Sequence, residues 1–239
     1  MIRDIPLKTR EFTLYIADEL VVLQEQIGYL ELVITGQGKK NNEMAYDYLA
    51  KTAISIGDNE TINPEAVKGL KAPDNEQLAV EAYILNYGEI FDFEYMCPSG
   101  NEPSEQGIDL VNLPFRYLDA SVVKCPNPIV EILLPRAGIK AVIGMLDGHK
   151  ESTLMSRMNT GSYDTNQSDF LCLQSLDGSE KFSYEDVVGL PLQDHKAIRK
   201  ARKKLVCGYD TRIRVTCPYC AAKSSFGLLQ HKDFLLPLA

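Results

Sequence analysis

Several features that identify common classes of protein are missing from this sequence. Its longest apolar stretch, residues 12–36, is interrupted by Asp18, Glu19, Glu25 and Glu31, which makes it too polar to cross a bilayer. The first ten residues, MIRDIPLKTR, contain no apolar segment of the kind that a secretory signal requires. These absences predict a protein that is neither secreted nor embedded in a membrane.

Motifs that would indicate catalysis are also missing. The sequence contains no P-loop, no GxGxxG following a strand and no GxSxG. Its three histidines, His149, His195 and His231, lie in polar surroundings and accompany no recognisable nucleophile. We therefore expect a protein that is not an enzyme.

The composition is that of an ordinary soluble globular protein of one or two domains, with 239 residues, 45% of them hydrophobic and 24% charged. The net charge of -8 provides no general attraction to nucleic acid. Six cysteines without a secretory signal predict reduced thiols in a compartment like the cytoplasm.

An internal repeat is the most informative pattern in the sequence. A shift of 120 residues aligns residues 56–98 with residues 176–218 without a gap, and 10 of the 43 aligned positions are identical. Both segments end in Cys-Pro, at Cys97 and at Cys217. The repeat predicts two related halves, residues 1–120 and residues 121–239.

Each half has the pattern of an α+β unit. A short helix precedes a longer one, at whose start Asp74 or Asp194 is expected to cap the free amide groups. A strand with one apolar and one charged face follows and delivers the Cys-Pro. The segment IVEILLPRAGIKAVIGML, residues 129–146, predicts two further strands joined by a tight turn. The expected fold is therefore α+β, with two tandem related halves of helices and short antiparallel strands that end in a Cys-Pro knuckle.

The cysteines of these turns suggest a metal site. Cys217 and Cys220 form a CPYC motif, which is half of a tetrahedral zinc site, and Cys97 supplies a third thiol. Gly100 occupies the position of the fourth thiol, so the fourth ligand would be His231, Cys125 or Cys207. Two alternatives stay open: a former site held by ordinary packing, and a redox pair. The polar turn after Cys220 favours a knuckle over the helix that follows a redox CxxC.

A basic helix is predicted over residues 195–205. Its apolar stripe is narrow, so the helix should pack by one side and expose a positively charged face. That face is either simply solvated or contacts an acidic protein segment or nucleic acid. Binding of single-stranded nucleic acid would favour aromatic residues between the charged ones, and this segment contains none. The candidate partner-binding residues are Lys196, Arg199, Lys200, Arg202 and Lys203.

The order of these segments resembles the baseplate hub and hub-assembly proteins of contractile-tailed bacteriophages of the T-even type. That family has a helix, a glycine, a strand and CPxC, then an IDL segment, an LPxxG hairpin, an IDG turn, an Asp-led helix and a second CPxC. The matching segments here are NYGEIFDFEYMCPSG, GIDLVNL, ILLPRAGIKAVIGMLDG, SLDGSEKF, LQDHKAIRKARKKL and GYDTRIRVTCPYC, followed by the apolar tail HKDFLLPLA.

The resemblance implies a non-enzymatic structural or assembly protein of the phage tail. Its expected partners are other baseplate and hub proteins and the tape-measure protein, with no membrane, and with nucleic acid not expected. Its expected location is the virion tail baseplate, reached from the host cytoplasm. The family also implies zinc held by Cys97, Cys217 and Cys220. The alternative function is a zinc-knuckle adaptor that binds nucleic acid through the basic helix 195–205.

Overall fold

The computed structural model describes residues 6–26, 41–100, 102–124, 127–230 and 234, and within them the chain is a mixed α+β protein. The helices are α1 (Asn41–Thr52), α2 (Pro64–Gly69), α3 (Ala72–Tyr87), α4 (Gly148–Asn159), α5 (Thr165–Cys172), α6 (Tyr184–Val188) and α7 (Leu192–Arg202). The strands are β1 (Thr9–Thr13), β2 (Leu20–Gln24), β3 (Ala53–Ile56), β4 (Ile90–Tyr95), β5 (Ser104–Asp109), β6 (Phe115–Arg116), β7 (Ile129–Leu133), β8 (Lys140–Gly144), β9 (Leu173–Leu176), β10 (Gly208–Tyr209), β11 (Arg212–Thr216) and β12 (Lys223–Gly227). The α+β class predicted from the sequence is confirmed. In these ranges, no helix combines the length and the apolar character that crossing a bilayer requires.

Two three-stranded antiparallel sheets form the frame, one in the order β1-β2-β3 and one in the order β7-β8-β9. Thr9 lies opposite Gln24 in the first sheet, and Ile129 lies opposite Gly144 in the second. The register shifts after Val22 in the first sheet and after Val142 in the second. The predicted pair of strands joined by a tight turn is confirmed as the hairpin of β7 and β8.

Two smaller hairpins, β4–β5 and β11–β12, carry the Cys-Pro segments. Asp92 lies opposite Gly107 in the first hairpin, and Arg212 lies opposite Gly227 in the second. The second pairing repeats the first at positions 120 residues later in the chain. The registers of the two three-stranded sheets repeat at the same distance. Helix α1 and helix α5 likewise end immediately before β3 and β9. The same strand and helix arrangement therefore recurs at a constant distance along the chain.

The prediction that Asp74 and Asp194 cap their own helices is wrong. Helix α3 is preceded by Lys71 and helix α7 by Pro191, and neither helix start is capped by a side chain. Both aspartates are fully buried and bind the turn between the first two strands of the neighbouring sheet. Asp74 accepts the backbone N–H groups of Ile16 and Ala17 at 2.7 and 2.9 Å, and Asp194 accepts those of Arg136 and Ala137 at 2.8 and 3.0 Å. Each carboxylate thus joins a helix to a hairpin that is distant in sequence.

The hydrophobic core consists of two clusters, one around α3 and one around α7. The first includes Ile213, Val215 and Phe234 from the C-terminal part of the chain, and the second includes Ile16 from the N-terminal part. Buried apolar contacts therefore cross residue 120 in both directions. The division into two domains at that residue stays a prediction.

Helix α3 is covered on several sides by both parts of the chain. It packs against α1, α4, β1, β2, β4 and β10. Strand β10 pairs with β6 and begins at Gly208, whose φ of 99° favours glycine and where a side-chain Cβ would lie 3.1 Å from Pro73. This close approach brings the hairpin β11–β12 over the first core cluster, where it meets β4–β5.

Candidate metal centre

Three cysteines from the two small hairpins meet at one point. Cys97 follows β4, and Cys217 follows β11. The chain turns differently after each: Gly100 donates its backbone N–H to the Cys97 carbonyl, whereas Ala221 donates to the Cys217 carbonyl one residue farther on. The longer second turn places Cys220 beside the other two thiols. The two inner hairpin faces pack together below this point, so the core fixes the position of the cysteines.

The sulfur atoms have the spacing of a metal-binding cluster. The Sγ atoms of Cys97, Cys217 and Cys220 all lie within 4.8 Å of one another, and those of Cys97 and Cys220 are 3.7 Å apart. Four sulfurs bound to zinc at about 2.3 Å lie about 3.8 Å apart at the corners of a tetrahedron. Cys97 and Cys217 are buried, and Cys220 is partly exposed. The residues present therefore fit three corners of a zinc site.

The surroundings of Cys217 include both stabilising and destabilising influences on a thiolate. The pKa of the Cys217 thiol is raised, mainly by burial and also by hydrogen bonds with the thiols of Cys220 and Cys97, although the backbone N–H groups of Cys220 and Tyr219 lower it in part. Backbone donors to the sulfur at a tight turn favour the thiolate form that a metal requires. A bound divalent cation would supply the remaining stabilisation of the charged form.

A redox role has less support in the local structure. Redox-active CxxC pairs normally open a helix, whose dipole lowers the thiolate pKa. Here the segment after Cys220 is strand β12, paired with β11 in an antiparallel hairpin. The CPYC motif therefore sits in a hairpin turn rather than at the start of a helix.

Gly100, which stands where a fourth cysteine would be expected, lies in a turn and has a φ of 77°. A cysteine there would be strained, because this φ favours glycine. Two other predicted candidates for the fourth ligand, His231 and Cys125, lie outside the described residues. Cys207 belongs to the second core cluster, away from the three sulfurs.

The candidate partner-binding residues of the basic helix divide into two groups. Arg199 Nε and Arg202 Nη1 bind the two carboxylate oxygens of Asp169 at 2.9 and 2.8 Å. Asp169 is completely buried, so both guanidinium groups serve an internal ion network. The other members, Lys196, Lys200 and Lys203, are exposed, do not contact Asp169 and lie at helical spacing along one face, while Arg199 is exposed in part although it binds Asp169.

His195 is a third partner of this network that the sequence analysis did not identify. It is buried, and its Nδ1 lies 3.3 Å from Asp169. The sequence around Asp169 carries no motif that would indicate this network, because its partners come from a helix about 30 residues away. The network fixes α5 against α7 and leaves the lysine face of α7 exposed.

A cleft of about 400 Å³ beside this network was also not predicted. Glu76, Cys172 and Cys207 line it together with the two arginines. Burial, together with the carboxylates of Glu151 and Asp210, raises the pKa of Glu76 to about 8. Burial is also the main cause that raises the pKa of Cys207 to about 12. The thiol of Cys207 is therefore protonated at neutral pH, which disfavours it as a nucleophile.

The chain matches no protein-family model, and no curated protein or solved structure is significantly similar to it. The resemblance to phage baseplate hub proteins therefore stays a prediction that depends on the order of short motifs.

Proposed function

We propose that this protein is a structural or assembly component of the baseplate hub of a contractile phage tail, with a zinc ion that fixes its two halves together. The observation that carries the proposal is the cluster of Cys97, Cys217 and Cys220, which joins turns about half the chain apart. The order of the hairpins, helices and CPxC turns along the chain supports the hub assignment. Other hub proteins and the tape-measure protein are the proposed partners.

We infer that the fold arose by internal duplication. Support comes from the strand registers, the register shift in each three-stranded sheet and the two buried aspartates, all of which recur after 120 residues. In this interpretation the turn after Cys97 and the turn after Cys217 descend from the same Cys-Pro knuckle. The first has since lost its second cysteine at Gly100.

The proposed zinc has a structural role. Its ligands come from two hairpins, so binding would connect segments that are distant in sequence and would restrict the unfolded chain most strongly there. Cys97, Cys217 and Cys220 would supply three thiolates. His231, or alternatively Cys125, stays the predicted fourth ligand.

Metal content and cobalt spectroscopy test this part of the proposal. Protein purified without chelator should contain about one zinc per chain. After exchange for cobalt, the sulfur-to-metal charge-transfer band should have the intensity of three thiolate ligands. Cys220→Ser should lose most of the bound metal, whereas Cys172→Ser should keep it, because Cys172 lies in the second core cluster. Zinc well below one per chain in the unmodified protein would leave the cysteines as a former site.

The hub role is tested by quantitative mass spectrometry of mature tail particles, with a tail protein of known copy number as the standard. A fixed small number of copies per particle is the expected result for a hub component. Presence in assembly lysates and absence from mature particles would identify an assembly factor instead. Absence from both would contradict the hub proposal.

The exposed lysines of α7 support a second candidate, a nucleic-acid adaptor. Among the candidate partner-binding residues, Lys196, Lys200 and Lys203 do not contact Asp169, whereas the two arginines do. The adaptor function would require binding to DNA or RNA that weakens with salt and that is lost when Lys200 and Lys203 become glutamate. Binding that survives these changes would remove the candidate.

A further inference from the structure

The two small hairpins pack together through their inner faces. Phe93 of β4 and Phe226 of β12 lie with their ring centroids 5.0 Å apart. Phe91, Ile213 and Val215 belong to the same buried cluster. Because successive side chains of a strand point to opposite sides, the outer faces of the two hairpins are turned away from each other.

The outer faces carry opposite charges at equivalent positions. On β4–β5 the exposed outer residues include Asp92, Glu94 and Glu105. On β11–β12 they include Arg212, Arg214 and Lys223. Asp92 and Glu94 precede Arg212 and Arg214 by 120 residues each, so the same register positions are acidic in one hairpin and basic in the other.

Within the part of the chain that the structure describes, these charges have few partners. Of the basic residues, Arg214 has a long contact of 3.9 Å with Asp210, and the arginine side chain is 76% exposed. Asp92 lies over Gly107, which has no side chain to cover it. The acidic outer face of β4–β5 and the basic outer face of β11–β12 are therefore both accessible to another molecule.

We propose that copies of this chain associate head to tail, with the acidic outer face of one copy on the basic outer face of the next. The two faces match in spacing, since neighbouring outward residues on either strand are about 7 Å apart. Each face would repel its own kind, which disfavours a symmetric dimer through either one. Since the two faces of one copy point in opposite directions, the contact is heterologous and generates a ring or an open chain.

The expected association is weak and depends on salt. Two-stranded faces of five or six residues offer a small contact area, at the lower end of specific interfaces. The attraction is between exposed charges, which salt screens within about 8–10 Å at physiological ionic strength. The proposal depends neither on the hub role nor on zinc binding, because both hairpins are fixed by the apolar core.

Sedimentation velocity of the full chain under reducing conditions, over a range of protein concentrations in low and high salt, tests the proposal. The expected result is concentration-dependent association in low salt that is lost in high salt. Asp92→Arg with Glu94→Arg, and separately Arg212→Glu with Arg214→Glu, should each weaken it about tenfold or more. A protein that stays monomeric in low salt at its highest soluble concentration would overturn the proposal.

Mixing provides the decisive comparison. Counted over the outer residues named above, the first double variant changes the charge of the β4–β5 face from -3 to +1 and keeps +3 on β11–β12, and the second changes the β11–β12 face from +3 to -1 and keeps -3 on β4–β5. Neither should associate alone, whereas an equimolar mixture supplies one unmodified basic face and one unmodified acidic face and should associate again. A variant that carries all four reversals has faces of +1 and -1 by the same count and should associate more strongly than either double variant alone, although less than the unmodified protein. Failure of both rescues would overturn the head-to-tail contact, even if the single-face variants are monomeric.

A matched control separates this contact from general charge effects. Lys196→Glu with Lys200→Glu changes the net charge by the same amount as the reversal on β11, but on the exposed face of α7. This control should associate like the unmodified protein. An equal loss in the control would assign the contact to α7 and would contradict the proposal. Thermal unfolding of all variants verifies that each is folded, because exposed substitutions should change stability little.

Discussion

The contact between α1 and α3 and the equivalent contact between α5 and α7 differ completely in chemistry. In the first contact, Leu49, Ala79 and Ala82 are buried in the first core cluster. The same three positions, 120 residues later, are occupied by the ion-paired residues Asp169, Arg199 and Arg202. One arrangement of helices therefore accommodates an apolar contact in one place and a buried ion network in the other.

This difference indicates that the backbone arrangement does not depend on either chemistry. It also explains why α7 is exposed where α3 is buried. The long arginine side chains of α7 need solvent beside them, and Arg199 is 44% exposed although it binds a fully buried carboxylate. Helix α3 has alanines at these positions and is covered by neighbouring elements.

The largest effect is expected when the ion network is broken at its anion. Asp169→Leu introduces the leucine found at the equivalent position, Leu49. It leaves two arginines and His195 without their shared partner. Removing one partner of a buried ion pair typically costs about 3–5 kcal/mol. Urea unfolding, followed by circular dichroism, should measure a loss of that size in the free energy of unfolding.

The comparison is sharpened by importing the whole apolar contact. Asp169→Leu combined with Arg199→Ala and Arg202→Ala reproduces the three residues of the first half. Replacing buried ion pairs by apolar residues is often neutral or stabilising, so most of the lost stability should return, except for the part that buried His195 loses with its partner Asp169. A triple variant as unstable as Asp169→Leu would mean that the two contacts are not interchangeable.

The next largest effect is expected at the buried aspartates that the two halves share. Asp74→Ala and Asp194→Ala each leave two backbone N–H groups of a hairpin turn without their acceptor. Unsatisfied buried donors cost about 1–3 kcal/mol, so each variant should lose about 2–3 kcal/mol in the free energy of unfolding. The isosteric Asn variants, which keep one acceptor oxygen, should lose less. Unequal losses would show that the shared turn has different importance in the two halves.

Much of the fold could be predicted from the sequence, because local patterns specify it. The alternating strands, the β7–β8 hairpin and the recurrence after 120 residues all follow from residue order. The partners of Asp74 and Asp194 could not be predicted, since an aspartate near a helix start most often caps that helix and the hairpin turn is about 58 residues away in sequence.

The candidate site was predictable in part for the same reason. The CPYC motif and the repeat indicated that Cys97, Cys217 and Cys220 belong together, and the structure brings their sulfurs within 4.8 Å. The network of Asp169 and the cleft at Glu76 gave no sequence signal, because each depends on side chains from helices that are distant in sequence. The sequence likewise did not indicate that the two arginines of the basic helix bind Asp169, because that residue lies on a different helix.

A smaller, pH-dependent effect is expected at Glu76, whose equivalent in the second half is the exposed Lys196. Burial and neighbouring carboxylates raise the pKa of Glu76 from 4.5 to about 8, and burial with Asp147 raises that of Glu151 to about 7. A raised carboxyl pKa means that the fold favours the protonated form. The stabilising contribution is therefore complete below about pH 4.5 and is lost as the pH rises through about 7–8.

Glu76→Gln, which stays neutral, should remove most of this dependence. The variant should match the unmodified protein near pH 5 and be more stable than it near pH 9, as measured by urea unfolding at both pH values. Glu185→Gln, on the exposed surface, is the control and should have the same pH profile as the unmodified protein. A Glu76→Gln variant whose stability falls with pH as steeply as before would contradict the assignment of the effect to this carboxyl group.

The smallest effect is expected on the exposed face of α7. Lys200 is exposed, whereas its equivalent Val80 on α3 is completely buried. Lys200→Ala should change the free energy of unfolding by no more than about 0.5 kcal/mol, as is usual for exposed positions, while Val80→Ala should lose about 2 kcal/mol through lost packing. Urea unfolding of the two variants side by side measures this contrast. A loss above about 1 kcal/mol for Lys200→Ala would mean that the lysine face packs against part of the protein, and that α7 is enclosed as α3 is.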